Sequence, residues 1–225
     1  MPRLRCRAIL FDLDGVLVDS RRCLRLVWET WAAERGLDPA PFLAVAQGRR
    51  TSDTVRMVAP HLDAAAESRA LDRLEAVEAR GLTAFSGAAE LLAVLGETQR
   101  ALVTSCDRAV AILRMTTARL PIPRVFVTAA DVRRSKPDPE GYLQAARRLD
   151  AAPVDCLVVE DSPTGLAAGK DAGMRVLAVL TTTPADALSR ADALLPSLAA
   201  LRLEPDPAGG LIATWPARRR RPTSP

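Results

Sequence analysis

The chain has 225 residues, 48% of them hydrophobic, and a formal net charge of +4. This length accommodates one domain with a large insertion or two small domains, and no segment approaches the roughly 20 unbroken apolar residues that cross a bilayer. The single histidine, His61, disfavours mechanisms that need a histidine base or several histidine ligands.

Five short apolar runs predict β-strands that alternate with helices. The runs cover residues 6–13, 100–105, 124–129, 155–161 and 175–180, and the helical stretches cover residues 87–96, 107–119, 139–149 and 163–173. Continuous rather than alternating hydrophobicity is typical of strands that are buried on both faces. The alternation of strands and helices therefore predicts an α/β fold with a doubly wound parallel sheet.

Residues 18–86 interrupt this alternation with patterns of helical period. Apolar residues recur on one face of two predicted helices: Leu24, Val27, Trp28 and Trp31 in the first, and Leu71, Leu74 and Val77 in the second. We expect both faces to pack as core rather than to stack on a ligand. A segment of this length is too long for a plain loop. Residues 1–17 and 87–204 are therefore predicted to form an α/β core, and residues 18–86 an inserted small all-helical cap.

The end of the chain differs from the core in composition. Residues 211–215 predict a short edge strand, and the rest of residues 205–225 is expected to be a disordered basic extension. Its consecutive arginines, Arg218 to Arg221, account for the net charge. Nucleic-acid binding through this run is disfavoured, because prolines flank it and no aromatic residue is interleaved.

The cysteines and the N-terminus indicate the compartment. Cys6, Cys23, Cys106 and Cys156 show no CxxC spacing, so reduced and mostly buried thiols are expected rather than disulfides or a zinc site. A signal peptide is disfavoured, because Asp12 interrupts the first apolar run and no small-residue cleavage site follows. We therefore expect a cytoplasmic, monomeric protein without membrane attachment.

Asp12 and Asp14 come directly at the end of the first predicted strand. Residues two apart on a strand point the same way, which places two such carboxylates about 6–7 Å apart. In open parallel sheets, ligands bind at the carboxyl ends of the strands. The pair therefore predicts a site at this edge of the sheet.

Further polar residues fall at equivalent strand ends or in the loop before a helix. They are Thr104 and Ser105, Glu160 and Asp161, and Lys136. Acidic groups in one crevice repel each other unless a cation is present, and oxygen ligands with open positions favour Mg²⁺. A carboxylate beside Mg²⁺ can attack phosphorus and form an aspartyl-phosphate, for which Lys136 and the Thr104 hydroxyl would supply donors to the phosphoryl oxygens.

Lys136 is informative because the chain uses arginine almost everywhere and contains two lysines, Lys136 and Lys170. A compact ammonium and a planar guanidinium are not interchangeable at a site that needs a point charge. A lysine kept in such a composition therefore favours a functional role, although a surface lysine without function is the alternative and suits Lys170 better.

Four motifs in order resemble those of the haloacid-dehalogenase-like hydrolase superfamily. FDLDGVLVDS matches its first motif, LVTS its second, RRSKPDPEGY its third and VVEDSPTGLAAGKDAGM its fourth. The resemblance covers about residues 6–200 and implies a Rossmann-like core. The insertion resembles the small helical cap of the subgroup that contains beta-phosphoglucomutase, phosphoglycolate phosphatase and sugar or polyol phosphatases.

The resemblance implies a catalytic role for each matching residue. Asp12 would be the nucleophile, and Asp14 the general acid and then the general base. Thr104 would bond to the phosphoryl group, with Ser105 beside it at the substrate. Lys136 would steady both the nucleophile and the phosphate.

The resemblance also implies a Mg²⁺ site. Asp12 would be a ligand, as would Asp14 through its main-chain carbonyl and Asp161 through its carboxylate. Glu160 would be a partner of these residues or a second ligand from the fourth motif. Dehalogenases of the superfamily lack the second aspartate of the first motif and need no metal, so Asp14 favours phosphoryl transfer.

The cap is expected to select the substrate. The stretch QGRRTSDTVRMVAP resembles the specificity loop of yeast-type glycerol-3-phosphatases and related sugar phosphatases, which implies substrate contacts for Gly48, Arg49, Arg50 and Thr51. For either arginine alone, a solvated place at a helix start remains the alternative. Beta-phosphoglucomutases have a lysine before that glycine and an arginine three places after it, where this chain has Gln47 and Thr51.

These features lead to one functional expectation and its alternatives. The resemblance implies a Mg²⁺-dependent phosphatase that hydrolyses a small phosphorylated sugar or polyol through an aspartyl-phosphate. A sugar phosphomutase is the alternative enzyme, and a non-catalytic binding or regulatory protein of the same fold is a further alternative. The non-catalytic alternative gives no reason for the intact set Asp12, Asp14, Thr104, Lys136 and Asp161.

Overall fold

The computed structural model describes residues 1–79 and 81–216. In chain order the helices and strands are β1 (Arg3–Cys6), β2 (Ala8–Phe11), β3 (Val18–Asp19), α1 (Arg21–Glu34), α2 (Ala40–Val45), α3 (Thr51–Val58), α4 (Ala64–Glu78), β4 (Thr83–Ala84), α5 (Ala88–Val94), β5 (Arg100–Val103), α6 (Arg108–Thr117), β6 (Val125–Val127), α7 (Glu140–Arg148), β7 (Cys156–Glu160), α8 (Pro163–Asp171), β8 (Arg175–Val179), β9 (Ala193–Leu195), β10 (Arg202–Pro205) and β11 (Leu211–Thr214). Short 3-10 helices lie in several of the connections.

A six-stranded parallel sheet forms the centre of the molecule, in the order β6-β5-β2-β7-β8-β9. The five predicted apolar runs all contribute a strand, which confirms the α/β parallel sheet. The strand order reverses direction between β2 and β7, and such a switch point opens a crevice at the carboxyl ends of its two strands. The sixth strand, β9, is three residues long and only Leu195 in it is buried, so its apolar run is too short to stand out in the sequence.

The sheet is covered by helices on both faces, as a doubly wound fold requires. Successive residues of β2 point to opposite faces, so Ile9 and Phe11 pack in one hydrophobic cluster and Ala8 and Leu10 in the other. Helices α5 and α6 contribute to the first cluster, and α7 and α8 to the second. All four β2 residues are fully buried, which explains why the run carries no polar alternation.

Helices α1 to α4 lie within residues 18–86, hereafter called the helical insertion. Trp28 and Trp31 are buried and pack on each other edge to face with ring centroids 5.4 Å apart. Phe42 lies 5.3 Å from the first ring and 4.9 Å from the second. The tryptophan pair is therefore core of the insertion, as predicted.

The prediction that Val77 shares the buried face of its helix is wrong. In α4, Leu71 is fully buried and Glu75, one turn later, is 5% exposed, whereas Val77 is 69% exposed. Residues four apart lie on the same side of a helix, so Leu71 and Glu75 define the inward face. A carboxylate thus takes a place that the apolar pattern assigned to valine.

A separate three-stranded antiparallel sheet, β1-β11-β10, joins the two ends of the described chain. The structure differs here from two expectations. The first apolar run is two strands, because Arg7 is exposed between β1 and β2. The predicted edge strand, β11, is the central strand of this sheet, and β10 and β11 bring order to part of residues 205–216. Arg218 to Arg221 lie outside the described residues.

Two further expectations concern thiols and membranes. The four cysteines are free, and all but Cys106 are buried, whereas their reduced state stays a prediction. Among the described residues, no helix has both the length and the apolar character needed to span a bilayer. The cytoplasmic location and the monomeric state stay predictions.

Asp131 stabilises the connection between β6 and the loop that carries Lys136. Its carboxylate accepts hydrogen bonds from Arg148 (2.9 Å), Arg108 (3.0 Å) and the Thr128 hydroxyl (2.8 Å). Burial alone would raise the pKa of Asp131, but the hydrogen bonds from Arg148 and Thr128 and the charge of Arg148 hold it well below its usual value. A depressed pKa means that the folded state gains stability above the unfolded pKa and loses it as the pH falls.

We expect Asp131→Asn to lower the free energy of unfolding by about 1–3 kcal/mol at pH 6, because charge-assisted hydrogen bonds are lost. The difference from the parent should shrink by about 1 kcal/mol at pH 3, below the unfolded pKa of about 3.9. Urea denaturation at both pH values measures this. Asp150→Asn is the control, because that carboxylate is fully exposed and its ion pair with Arg7, at 4.0 Å, lies at the surface. A difference that is equal at both pH values would contradict the assignment.

Candidate active site

The predicted site residues converge at the carboxyl ends of the central strands. Asp12 follows β2, Thr104 follows β5, Glu160 ends β7 and Asp161 follows it. Carboxylate oxygens of Asp12, Glu160 and Asp161 all lie within 4.8 Å of one another. Because β2 and β7 flank the switch point, the first and fourth motifs meet although about 150 positions separate them in the sequence.

Lys136 connects the first and fourth motifs. Its ammonium lies 2.5 Å from Asp12 Oδ1, 2.6 Å from Glu160 Oε1 and 3.2 Å from the carbonyl oxygen of Val103. A lysine has three donors, so all three are used, and the side chain is 7% exposed. Lys136 therefore fixes the carboxylate of Asp12 in one orientation.

Glu160 is fully buried and both of its oxygens are occupied. Oε1 accepts hydrogen bonds from Lys136 and from the Tyr142 hydroxyl, at 2.8 Å for the tyrosine. Oε2 accepts from the backbone N–H groups of Asp161 and Ser162 and from the Ser162 hydroxyl. These contacts match the role of partner to Lys136 more closely than that of metal ligand, and Tyr142 and Ser162 are supporting residues that the motif comparison did not single out.

Buried carboxylates outnumber the positive charges in this cluster. Burial raises the pKa of Asp12 to about 7 against the opposing pull of Lys136. Burial, with Glu160 and Asp12 nearby, also raises the pKa of Asp161 well above its usual value. Burial opposes ionisation of Lys136, but Asp12 and Glu160 hold its pKa well above the usual value. One ammonium therefore does not balance the carboxylates, and a cation is needed to keep all of them ionised.

The two carboxylate oxygens of Asp161 differ in their hydrogen bonding. Its Oδ2 accepts from Gln47 Nε2 at 2.7 Å and from the Thr182 hydroxyl. Its Oδ1 is buried and has no hydrogen-bond partner among the described residues. A buried carboxylate oxygen without a donor is costly, and a hard cation bound by oxygen ligands would satisfy it. The residues present thus fit a divalent cation such as Mg²⁺.

Asp14 has hydrogen-bond partners that differ from those of this cluster. Its Oδ2 accepts from the Arg114 guanidinium and from the Cys106 thiol at 3.0 Å, whereas its Oδ1 has no hydrogen-bond partner among the described residues. Burial raises the pKa of the Cys106 thiol well above its usual value, so the thiol donates as S–H. Gly15 follows with φ +85°, and a Cβ there would come within 2.0 Å of Asp161 Oδ2, so the turn requires glycine.

The loop before α3 holds the helical insertion on the core. Gly48 has φ +73°, its carbonyl oxygen accepts from the Ser105 hydroxyl at 2.9 Å, and a Cβ would come within 2.4 Å of Ser162 Oγ. Gln47 reaches the Asp14 carbonyl oxygen at 3.4 Å as well as the Asp161 carboxylate. Glycine at position 48 therefore permits close contact between the loop and two motif residues.

Arg49 and Arg50 take different places. Arg50 donates to the carbonyl oxygens of Ala129 and Val132, both at 2.7 Å, and so bridges the insertion to the core. Arg49 lines a cavity of about 50 Å³ between the insertion and the core. Other predicted site residues also line it: Asp12, Asp14, Gly48, Thr51, Thr104 and Ser105. Of the two arginines, Arg49 therefore faces the cavity above Asp12, and substrate contact by Arg50 stays a prediction.

Comparison with known proteins agrees with this geometry. Residues 9–179 match the haloacid dehalogenase-like hydrolase family. Hexitol phosphatase A of Escherichia coli (strain K12) is 40% identical over 214 residues, which cover 93% of this chain and 99% of that protein. Glycerol-1-phosphate phosphohydrolase 2 of Saccharomyces cerevisiae is 30% identical over 203 residues, which cover 82% of this chain and 79% of that protein.

The fold also matches solved structures. A hydrolase from Pseudomonas syringae superposes with a TM-score of 0.78 at 22% identity, over 86% of this chain and 94% of that one. At this identity the match shows the fold alone, whereas the family match and the curated phosphatases bear on the activity. The chain therefore belongs to the haloacid dehalogenase-like hydrolase family and is a phosphoric monoester hydrolase.

Proposed function

We propose that the chain is a Mg²⁺-dependent phosphatase that hydrolyses a phosphorylated polyol through an aspartyl-phosphate on Asp12. The observation that carries the proposal is the fixed carboxylate of Asp12. Lys136 orients it, Asp161 lies beside it, and Asp14 lines the same cavity. Asp161 and Asp14 each have one carboxylate oxygen that accepts no hydrogen bond from the part of the chain that the structure describes. Nucleophile, cation site and proton carrier are thus adjacent.

The cation would be held by Asp12, by Asp161 and by the main-chain carbonyl of Asp14. When bound, it supplies positive charge that neutralises the crowded carboxylates and the phosphoryl oxygens. The fit rests on the unpartnered Asp161 Oδ1 and on the excess of buried anions over the single ammonium of Lys136.

The chain's own residues would carry two successive displacements at phosphorus. In the first, a carboxylate oxygen of Asp12 forms a bond to phosphorus as the ester P–O bond breaks, and Asp14 gives its proton to the leaving alcohol oxygen. In the second, Asp14 takes a proton from water, the water oxygen bonds to phosphorus, and the acyl-phosphate bond breaks to release phosphate and restore Asp12. Lys136 keeps Asp12 in place throughout, and Thr104, whose Oγ1 accepts from the Cys106 N–H at 3.1 Å, has its own hydroxyl hydrogen free to donate to the phosphoryl group.

A polyhydroxy leaving group fits the lining of the cavity. Thr54 in α3 is fully buried, lines the cavity and leaves its hydroxyl without a hydrogen-bond partner among the described residues. Asp72 in α4 adds a carboxylate to the same lining, and Trp28 an apolar surface. Unpaired buried polar groups favour a ligand that supplies hydroxyls. The relatives named hexitol phosphatase and glycerol-1-phosphate phosphohydrolase support the same substrate class.

The size of the cavity favours movement of the helical insertion when such a substrate enters. A cavity of about 50 Å³ holds a few water-sized groups rather than a phosphorylated polyol. The chain enters the insertion through β3 and leaves it through β4. These two strands form a short antiparallel ribbon, with Val18 opposite Ala84 and Asp19 opposite Thr83. We therefore propose that the insertion is a cap that opens about this ribbon and closes over the bound substrate.

A phosphate-release screen tests the substrate class. We expect release from sorbitol 6-phosphate or glycerol 3-phosphate to exceed release from phosphoglycolate and nucleoside monophosphates by about 10-fold or more in kcat/KM, since one net hydrogen bond of about 1 kcal/mol is worth roughly that factor. Glucose 1-phosphate should yield free phosphate rather than glucose 6-phosphate. Accumulation of the 6-phosphate would establish a mutase instead, and equal release from every ester would contradict selection of a polyol.

A further inference from the structure

Arg114 of α6 is a charged group that is 2% exposed and bound by two carboxylates. One guanidinium nitrogen, Nη1, donates to Asp14 Oδ2, and the other, Nη2, donates to Glu75 Oε2 at 2.6 Å. Asp14 belongs to the first motif, whereas Glu75 belongs to α4 of the helical insertion and is 5% exposed. Arg114 thus joins a motif carboxylate of the core to a carboxylate of the insertion.

The two ends of this bridge depend on different parts of the fold. Asp14 and Arg114 are both held by the core, and the Cys106 thiol contacts both of them, at 3.0 and 2.9 Å. Glu75 reaches Arg114 because the insertion is seated on the core. If the insertion swings away, the guanidinium keeps Asp14 and loses Glu75. The second half of the bridge therefore exists only when the cavity is closed.

Its contacts differ from those of an ion pair that only fastens two surfaces. Arg114 occupies one oxygen of Asp14, and the other oxygen, Oδ1, accepts no hydrogen bond from the described residues. Asp14, Glu75 and Arg114 all line the cavity above Asp12, together with Thr104. A guanidinium shared between two carboxylates is fixed in direction by both, because its donors form a rigid planar fork. The fork therefore sets the orientation of the Asp14 carboxylate beside the phosphoryl site.

We propose that Arg114 and Glu75 are positioning residues for Asp14, and that Glu75 makes the position of Asp14 depend on closure of the insertion. This inference rests on the proposed function, in which Asp14 gives a proton to the leaving alcohol. With the insertion open, Arg114 is free to rotate toward Asp14 and engage both of its oxygens. With the insertion closed, Glu75 binds Nη2 of the Arg114 guanidinium, so that Asp14 keeps one oxygen for proton transfer.

Glu75→Gln tests the inference against Glu67→Gln on the same helix. Glu67 also binds an arginine, Arg35, at 2.6 Å, together with the Trp31 indole N–H, but it contacts no motif residue. Two substrates separate proton transfer from the rest of the reaction. The p-nitrophenolate group leaves phosphorus without a proton, whereas the alcohol of sorbitol 6-phosphate needs one, and both substrates form the same aspartyl-phosphate.

For Glu75→Gln we expect kcat with sorbitol 6-phosphate to fall by about 10–100-fold with KM within about 3-fold, because the proton donor is misplaced rather than the phosphate site. The first-turnover burst of p-nitrophenol should keep its rate within about 3-fold. Glu67→Gln should leave both substrates unchanged. Equal losses with the two substrates, or no loss with sorbitol 6-phosphate, would overturn the inference.

A double-mutant cycle covers the case in which one variant folds poorly. The measured quantity is the ratio of kcat with sorbitol 6-phosphate to the burst rate of p-nitrophenol. Arg114→Gln should lower this ratio at least as much as Glu75→Gln does. The double variant should lower it no further than Arg114→Gln alone, because both residues act through the same carboxylate. Independent, additive losses would overturn the inference. If wild-type protein cleaves p-nitrophenyl phosphate but no polyol phosphate, the substrate proposal fails, and the alkyl phosphate that it cleaves fastest replaces sorbitol 6-phosphate in the same cycle.

Discussion

Replacing Asp12 by Asn is expected to lower kcat by at least about 10³-fold with every phosphate ester, because the amide cannot form the acyl-phosphate. The fold should survive. Asparagine keeps an oxygen for Lys136, and Glu160 remains to pair with the ammonium. Phosphate release measures the activity, and thermal denaturation checks that the variant is folded. Rapid acid quench of wild type with ³²P-labelled substrate should trap a hydroxylamine-sensitive phosphoprotein that the variant does not form.

Asp206→Asn is a matched control for this variant. Asp206 is also a buried aspartate that pairs with a cation, Arg5 at 3.1 Å, but it lies beside the three-stranded sheet away from the cavity. We expect its kcat to equal that of wild type. Hydrolysis by Asp12→Asn at the parental rate would exclude Asp12 as the nucleophile, since no other aspartate occupies its position beside Lys136.

Removal of divalent cations is expected to abolish hydrolysis, and millimolar Mg²⁺ should restore it. The same addition should raise the thermal stability of the wild-type protein, by about 2.7 kcal/mol when Mg²⁺ exceeds its Kd 100-fold. Binding to the folded state alone explains this increase, because the three carboxylates are brought together only by the fold. Stability is therefore a readout of the cation site that is independent of turnover.

Asp161→Asn should reverse the stability effect. Burial, with Glu160 and Asp12 nearby, raises the pKa of Asp161 well above its usual value, so ionisation of Asp161 costs free energy in the metal-free protein. Asparagine removes that charge and can keep its oxygen on Gln47 and Thr182. We expect the metal-free variant to melt above the metal-free wild type and to gain nothing from Mg²⁺. A variant that responds to Mg²⁺ as the wild type does would remove Asp161 from the cation site.

The strand ends of the site could be predicted from the sequence because parallel sheets align them. Continuous apolar runs identify buried strands, and polar residues that follow such runs must meet at one edge. Asp12, Thr104, Glu160 and Asp161 were found in this way. Lys136 lies in a loop before a helix rather than at a strand end, and its presence in an arginine-rich chain strengthens the prediction. The structure places it between Asp12 and Glu160.

Glu75 and Arg114 could not be predicted, because a charged residue in a helical pattern ordinarily indicates a solvated face. Glu75 has charged residues on both sides in the sequence, whereas Arg114 is the one charged residue of the stretch AVAILRMTTA. Only the packing of the insertion on α6 brings the two together. The apolar pattern of α4 even suggested Val77 for the inward face. A buried ion pair between two helices leaves no periodic pattern in the sequence, so its members are recognised only in the folded structure.

The pairing of β1 with β11 has a consequence for synthesis of the protein. Arg3 lies opposite Thr214, so β1 cannot pair with β11 until nearly all the described chain has been synthesised. At about 5–20 residues per second, this synthesis takes on the order of ten seconds or more. An unpaired strand invites pairing with other chains, and inward or outward charges discourage it. In β1 the exposed positions are Arg3 and Arg5, so we expect their charges to discourage such pairing until β11 has been made.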